Sequence, residues 1–159
     1  PYEEELGREI PVFAAGGVFT AEDCSRMLKA GAKGVQIGTR FIATKECDAA
    51  QGFKDVIINA KKEDIVIIKS PVGMPARAIM TPLLERLKNG EDFSAKRCNR
   101  CLTACQGPGK AVYCISRALI AAVRGNIDEG LFFSGENAWR IDHMTTVGEL
   151  MDEFRVCFE

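Results

Sequence analysis

The apolar positions at the start of this chain form two short runs, Ile10-Pro-Val-Phe-Ala-Ala15 and Lys33-Gly-Val-Gln-Ile37. The first does not alternate with polar residues, the pattern of a strand covered on both faces. Each run ends in a turn, Gly16-Gly17 after the first and Gly38-Thr39 after the second. Between them Thr20 stands three residues ahead of Asp23, as in a capping box, and Cys24, Met27 and Leu28 recur at helical spacing until Gly31. Strand, helix and strand in so short a span make one βαβ unit, whose strands are parallel and joined by a right-handed crossover. Both glycine turns then lie at the carboxyl end of the sheet, where parallel α/β folds bind ligands. Glycines expose backbone N–H groups, so two such turns side by side predict a phosphate cradle.

The rest of the chain is mostly helical in pattern. Residues 2–8 read as the end of a helix, with Gly7 near its C-terminus, and residues 51–62 as a full helix. Residues 64–69 read as extended, and 70–75 as a loop in which Pro71 and Pro75 discourage helix. Helical periodicity returns over 76–88, interrupted near Pro82 and stopped by Asn89-Gly90, and again over 111–124, capped by Gly125. The segment from Leu131 to Trp139 is apolar but broken by Gly135, which predicts a packed loop or short strand with Leu131, Phe132 and Phe133 in the core. Thr146 with Glu149 is a second capping box, opening a helix over 147–154. Two parallel strands cannot form a sheet covered on both faces, so the expectation is the C-terminal portion of a larger α/β barrel.

Composition narrows the class without changing this picture. The chain has 159 residues, 47% hydrophobic and 27% charged, enough for one ordinary domain with a core. A formal net charge of -1 gives no reason to expect a nucleic-acid or acidic-membrane partner. No apolar stretch approaches membrane-spanning length and no signal peptide opens the sequence. The opening Pro1-Tyr-Glu-Glu-Glu reads as a helix already in progress, so the chain is expected to begin mid-protein. Seven cysteines, an odd number without a small secreted scaffold's character, favour a cytoplasmic protein with thiols reduced or metal-bound.

The pair Ile10-Pro-Val-Phe-Ala-Ala-Gly-Gly-Val18 and Gly34-Val-Gln-Ile-Gly-Thr-Arg-Phe41 resembles the nitronate monooxygenase family. That family was formerly called 2-nitropropane dioxygenase and includes the similar flavin-dependent enoyl-acyl-carrier-protein reductases. The similarity continues through residues 70–79 and 126–138. It implies an FMN-bearing TIM (β/α)8 barrel, with residues 1–62 as its last strand–helix units and 63–159 as a mostly helical C-terminal region carrying a cysteine group. It also implies that Gly16 and Gly17 offer backbone N–H groups to the FMN phosphate. Gln36, Ile37, Gly38 and Thr39 would complete the cradle, with the Thr39 hydroxyl as an extra donor. Barrel phosphate sites are typically built from the loops after strands 7 and 8, which agrees with this placement.

The activity the resemblance implies is oxidation of alkyl nitronates with O2, or alternatively NAD(P)H-dependent reduction of an enoyl thioester through FMN. The family's catalytic histidine lies upstream of the motif, so this chain offers no assigned catalytic residue. It is expected to be inactive without the missing N-terminal barrel portion. His143, the single histidine, falls far past the motifs and reads as a surface or loop residue.

A second candidate centre is Cys98, Cys101, Cys105 and Cys114, spaced C-x2-C-x3-C-x8-C. Four thiolates so spaced can hold an iron–sulfur cluster or a zinc ion. The pattern is similar to the cysteine segment of iron–sulfur dienoyl-CoA reductases, although the last gap is shorter and Cys114 is expected inside a helix. Flanking Lys96, Arg97 and Arg100 would favour thiolates. The alternative is that these are reduced, partly buried thiols, and Cys24, Cys47 and Cys157 read as structural. Weaker candidates are Glu136, Asn137 and Trp139, which could approach a flavin or substrate, and Arg77, which could face a phosphate or pair with a nearby carboxylate. A non-redox lyase or isomerase barrel, or a metal-binding module built on the cysteines, are the remaining alternatives.

Overall fold

The computed structural model of the chain describes residues 2–94 and 97–158. A short helix α1 (Tyr2–Leu6) precedes strand β1 (Phe13–Ala15), helix α2 (Ala21–Lys29) and strand β2 (Gly34–Gln36). The strands pair in parallel, Phe13 opposite Gly34 and Ala15 opposite Gln36, so the βαβ unit forms with strands shorter than the apolar runs. Helix α2 starts where the capping residues say it should. Thr20 Oγ1 accepts the Asp23 N–H at 3.3 Å, and Asp23 Oδ2 accepts the Thr20 N–H at 3.1 Å.

The expectation of full cover over residues 10–15 does not hold. Val12 and Phe13 are each 63% exposed. One layer of helix covers only one side: Val35 and Ile37 pack with Val18, Cys24 and Phe154, the last from helix α7 (Val147–Arg155), and β1 stays open.

After β2 come helices α3 (Thr39–Ile42) and α4 (Gln51–Ile58), and then a hairpin. Strand β3 (Ile65–Lys69) pairs antiparallel with strand β4 (Pro75–Ile79), Ile65 opposite Ile79 and Lys69 opposite Pro75. Residues 76–88 are therefore not one interrupted helix. The chain leaves β4 and starts helix α5 (Pro82–Lys88) with Pro82 in its first turn, where a missing N–H goes unnoticed. The hairpin loop closes through the Gly73 N–H to Ser70 O at 2.9 Å and the Ser70 N–H to Met74 O at 3.1 Å, with Gly73 at φ 85°. Pro75 begins its strand, a position that tolerates proline.

Helix α6 (Ile115–Val123) starts later than its periodicity suggests, because the Phe93 N–H bonds Val112 O at 2.8 Å and holds that segment extended. Cys114 is the N-cap of α6, so the expectation that it lies inside the helix is corrected. Phe133 makes a single antiparallel bridge to Ala78, beside β4, and the segment is otherwise the packed loop expected. Helix α7 opens with the second capping box, Thr146 with Glu149.

The core is shared across the chain. Phe53 and Ile57 of α4 pack with Ile79, Ala122 and Phe132, and the Phe53 and Phe132 ring centroids are 4.9 Å apart. A second cluster joins Ala78, Leu83 and Leu84 to Tyr113, Ile115, Ala118 and Leu131. Leu131 and Phe132 are fully buried as expected, and Phe133 packs partly buried at the edge of this cluster. No helix among the described residues is long and apolar enough to cross a membrane.

Candidate functional site

Gly16 and Gly17 follow β1 with φ of 80° and 76°, the left-handed region that L side chains avoid. A Cβ added at either would meet no atom within 4 Å. Glycine is thus needed for the backbone path, and the space beside it is open. Opposite, β2 ends and Gly38 caps α3 without any side-chain hydrogen bond. Gly16, Gly17, Gln36, Ile37, Gly38 and Thr39 all line one cavity of about 80 Å³, so the structure brings the six residues of the cradle together.

The far wall comes from the loop before the 3-10 turn Ala138–Arg140, through Gly135, Glu136, Asn137 and Ala138. Thr39 Oγ1 accepts the Gly135 N–H at 2.8 Å, which leaves the hydroxyl's own hydrogen to donate. A Cβ at Gly135 would sit 3.0 Å from that oxygen, so the close approach depends on glycine. Asn137 Nδ2 donates to Gly17 O at 3.3 Å, tying this loop to the first turn. Glu136 and Asn137, weaker candidates by sequence, do reach the cradle. Gly135 and Arg40 also line the cavity; Arg40 stands inside the second motif, whereas nothing local in the sequence marks Gly135 as a neighbour of Thr39.

The cradle is a backbone site more than a cationic one. Arg40 lines it, but its Nη1 donates to Phe19 O at 2.9 Å and Glu153 Oε1 at 2.6 Å, and its guanidinium lies 4.9 Å from the Phe19 ring centroid. Arg77 does not face the cavity as a free cation, since it pairs with Glu136 at 3.5 Å. The N-terminus of α2 already holds an anion: Asp23 Oδ2 accepts the Phe19 N–H at 3.0 Å as well as that of Thr20. Burial would raise the Asp23 pKa, but these N–H donors and Arg26 hold it below the ordinary value. An incoming anion therefore meets the two glycine turns and Thr39. Sites for whole small molecules start at about 300 Å³. A cavity of about 80 Å³ suits one end of a ligand, a phosphate-sized group.

The profile of the family described as nitronate monooxygenase matches residues 5–155. The chain belongs to the nitronate monooxygenase family. A probable nitronate monooxygenase of Staphylococcus aureus (strain Newman) is 38% identical over 82 residues, which cover 52% of this chain and 23% of that protein. The structure of FabK from Thermotoga maritima superposes with a TM-score of 0.72 at 27% identity, over 98% of this chain and 46% of that one. Nitroalkane oxidase from Streptomyces ansochromogenes gives a TM-score of 0.66 at 22% identity, over 96% of this chain and 40% of that one, a likeness of fold alone. The chain thus has the α/β fold of this family and spans less than half the length of each of these relatives.

The other candidate centre gains no support. Cys98, Cys101, Cys105 and Cys114 line a common cavity, but among the described residues no three histidine, cysteine, aspartate or glutamate side chains are placed to hold a metal ion. Cys101 Sγ lies 3.2 Å from Ser116 Oγ, Cys98 Sγ accepts the Arg100 N–H at 3.4 Å, and Cys114 is fixed at the start of α6. Neither an iron–sulfur cluster nor a zinc ion is supported among the described residues. Lys96 lies outside the described residues. Cys24 is fully buried beneath α7, where burial and a hydrogen bond with Cys157 push its thiol up to about 11. His143 is exposed on a loop and bonds Asp142 through Nδ1, and Trp139 faces Lys62 at 5.7 Å, away from the cradle-lining residues.

Proposed function

We propose that this chain is the phosphate-holding part of an FMN-dependent oxidoreductase of the nitronate monooxygenase type, which oxidises alkyl nitronates with O2. The observation that carries this reading is the convergence of Gly16, Gly17, Gln36, Ile37, Gly38 and Thr39 on one phosphate-sized cavity, in a chain of this family. The residues fit the group. Two successive left-handed glycines leave open space beside N–H groups, and the Thr39 hydroxyl keeps a hydrogen to donate.

In this reading β1 and β2 are the last two strands of a TIM barrel. The exposure of Val12 and Phe13 supports it, because parallel strands are ordinarily covered on both faces. So does the short share of its relatives that the chain spans. FMN, when bound, supplies the redox chemistry. The chain's own work is to hold and orient it: the two glycine turns bind the phosphate through backbone N–H groups, Gly135 fixes the Thr39 hydroxyl, and Asn137 holds the outer loop against Gly17. The acceptor of the substrate proton would be the family's histidine upstream of these motifs, since His143 stands on an exposed loop.

The alternative, NAD(P)H-dependent enoyl reduction, would use the same cradle. Full-length protein loaded with FMN separates them. Nitronate consumption coupled to O2 uptake is the expected result. Flavin bleaching by NADH, discharged by an enoyl thioester and without nitronate turnover, would overturn the monooxygenase reading.

A further inference from the structure

Residues 97–110 carry no helix or strand, and they form much of the wall of a cavity of about 1140 Å³. Four free thiols line it, Cys98, Cys101, Cys105 and Cys114. Two of these are set apart by local geometry. Arg100 has φ 49°, the positive-φ residue other than glycine among those described, and it reverses the chain inside Cys98-Asn-Arg-Cys101. The Cys98 sulfur folds back onto the Arg100 N–H at 3.4 Å. Cys101 is exposed, with its sulfur 3.2 Å from Ser116 Oγ.

We propose that Cys98 and Cys101 form a thiol-modification site, a dithiol that exchanges with low-molecular-weight disulfides of the glutathione type and closes to an intramolecular disulfide. The surroundings suit such a reagent. Arg97 and Arg100 line the cavity beside Arg117, itself paired with Glu129 at 3.5 Å, and the two would attract a small anionic peptide. Tyr113, 4% exposed, also lines it, and its buried hydroxyl has no hydrogen-bond partner. Burial raises the Tyr113 pKa to about 12, so the hydroxyl stays protonated and available to a ligand carbonyl or carboxylate.

The exchange balances in two steps. The exposed Cys101 sulfur, as thiolate, attacks one sulfur of oxidised glutathione; a mixed disulfide forms, the glutathione S–S bond breaks, and one glutathione leaves and is protonated. Cys98 then attacks the Cys101 sulfur and expels the second glutathione. Two protein thiols lose two electrons and two protons, and one small disulfide becomes two thiols. Cys24, buried and raised to about 11, is an internal thiol that should stay untouched.

Trypsin cleavage after Arg97, Arg100, Lys110 and Arg117 places Cys98, the Cys101–Cys105 pair and Cys114 on three separate peptides. The full-length protein is treated with oxidised glutathione, blocked with an alkylating reagent and mapped by mass spectrometry. The expected product is peptide 98–100 joined to peptide 101–110, with the mass of two hydrogens lost. The link should be absent in Cys98→Ser and Cys101→Ser and retained in Cys105→Ser. Cys98→Ser should instead accumulate glutathione on Cys101, because the second step has no attacker. Wild type that carries only mixed disulfides or stays unmodified, wild type in which the link runs to peptide 111–117, or a 98–100 to 101–110 link that persists in Cys101→Ser overturns the proposal. The wild-type map alone reads the outcomes other than the last, whether or not the variants fold.

Discussion

At the scale of single residues, the glycines of the cradle serve different physical needs. Gly17 sits at φ 76° with no atom within 4 Å of an added Cβ, so Gly17→Ala meets strain and no clash. We expect it to lower the unfolding free energy by about 1 to 2 kcal/mol, the cost of a left-handed non-glycine residue, with Gly17→Asn costing less. Chemical denaturation of the two variants checks this; equal stability of Gly17→Ala and wild type would contradict the assigned backbone. Gly16-Gly17 and Gly38-Thr39 were legible in the sequence because each turn directly follows an apolar run. Gly135 was not. Its contact with Thr39 joins positions 96 apart, and no local pattern carries such a pairing.

At the scale of elements, what was legible was what is local. Both capping boxes, at Thr20 and Thr146, form as read, since donor and acceptor lie within one turn. The segment 76–88 reads as helix from its periodicity, yet Ala-Ile-Met beside charged residues suits helix or strand equally. The pairing of Ile65–Lys69 with Pro75–Ile79 decides it, and that is a tertiary fact. Helix α4 packs unusually close to the turn after α6. A Cβ at Gly52 would lie 2.8 Å from Gly125 O. Gly52→Ala should therefore destabilise by about 1 to 3 kcal/mol, as overpacking does. Gly148→Ala in α7 meets only Thr146 Oγ1 at 3.9 Å and should gain up to about 1 kcal/mol from helix propensity. Thermal melts of the pair test the contrast.

The α7 cap also sets a pH dependence. The Thr145 hydroxyl, then the Thr146 N–H and hydroxyl, hold the Glu149 carboxyl below its ordinary value. A depressed carboxyl stabilises the fold above its unfolded pKa, and that contribution is lost as pH falls through the folded value. Stability should drop on acidification below the ordinary glutamate value of about 4.3, and Glu149→Gln should lose less over that interval. An identical pH profile for the variant would remove the cap from the account.

At the scale of the whole molecule, the chain is a βαβ unit on one helical layer, followed through α3 and α4 by the β3–β4 hairpin and helices α5 and α6. The sequence pattern made β1 a covered strand, and this chain leaves Val12 and Phe13 open, because burial is a property of the assembled sheet and not of the strand. The cradle has room for a phosphate and not for a whole cofactor. In the proposed function these turns recognise the phosphate of FMN. The direct measurement is the affinity of the full-length protein for FMN and for riboflavin, which lacks the phosphate, in wild type and Thr39→Val. FMN is expected to bind more tightly than riboflavin. Thr39→Val is expected to weaken FMN by about tenfold, roughly one charge-assisted hydrogen bond, and to leave riboflavin unchanged. Equal affinities for the two flavins, or an equal loss for both in Thr39→Val, would contradict that recognition.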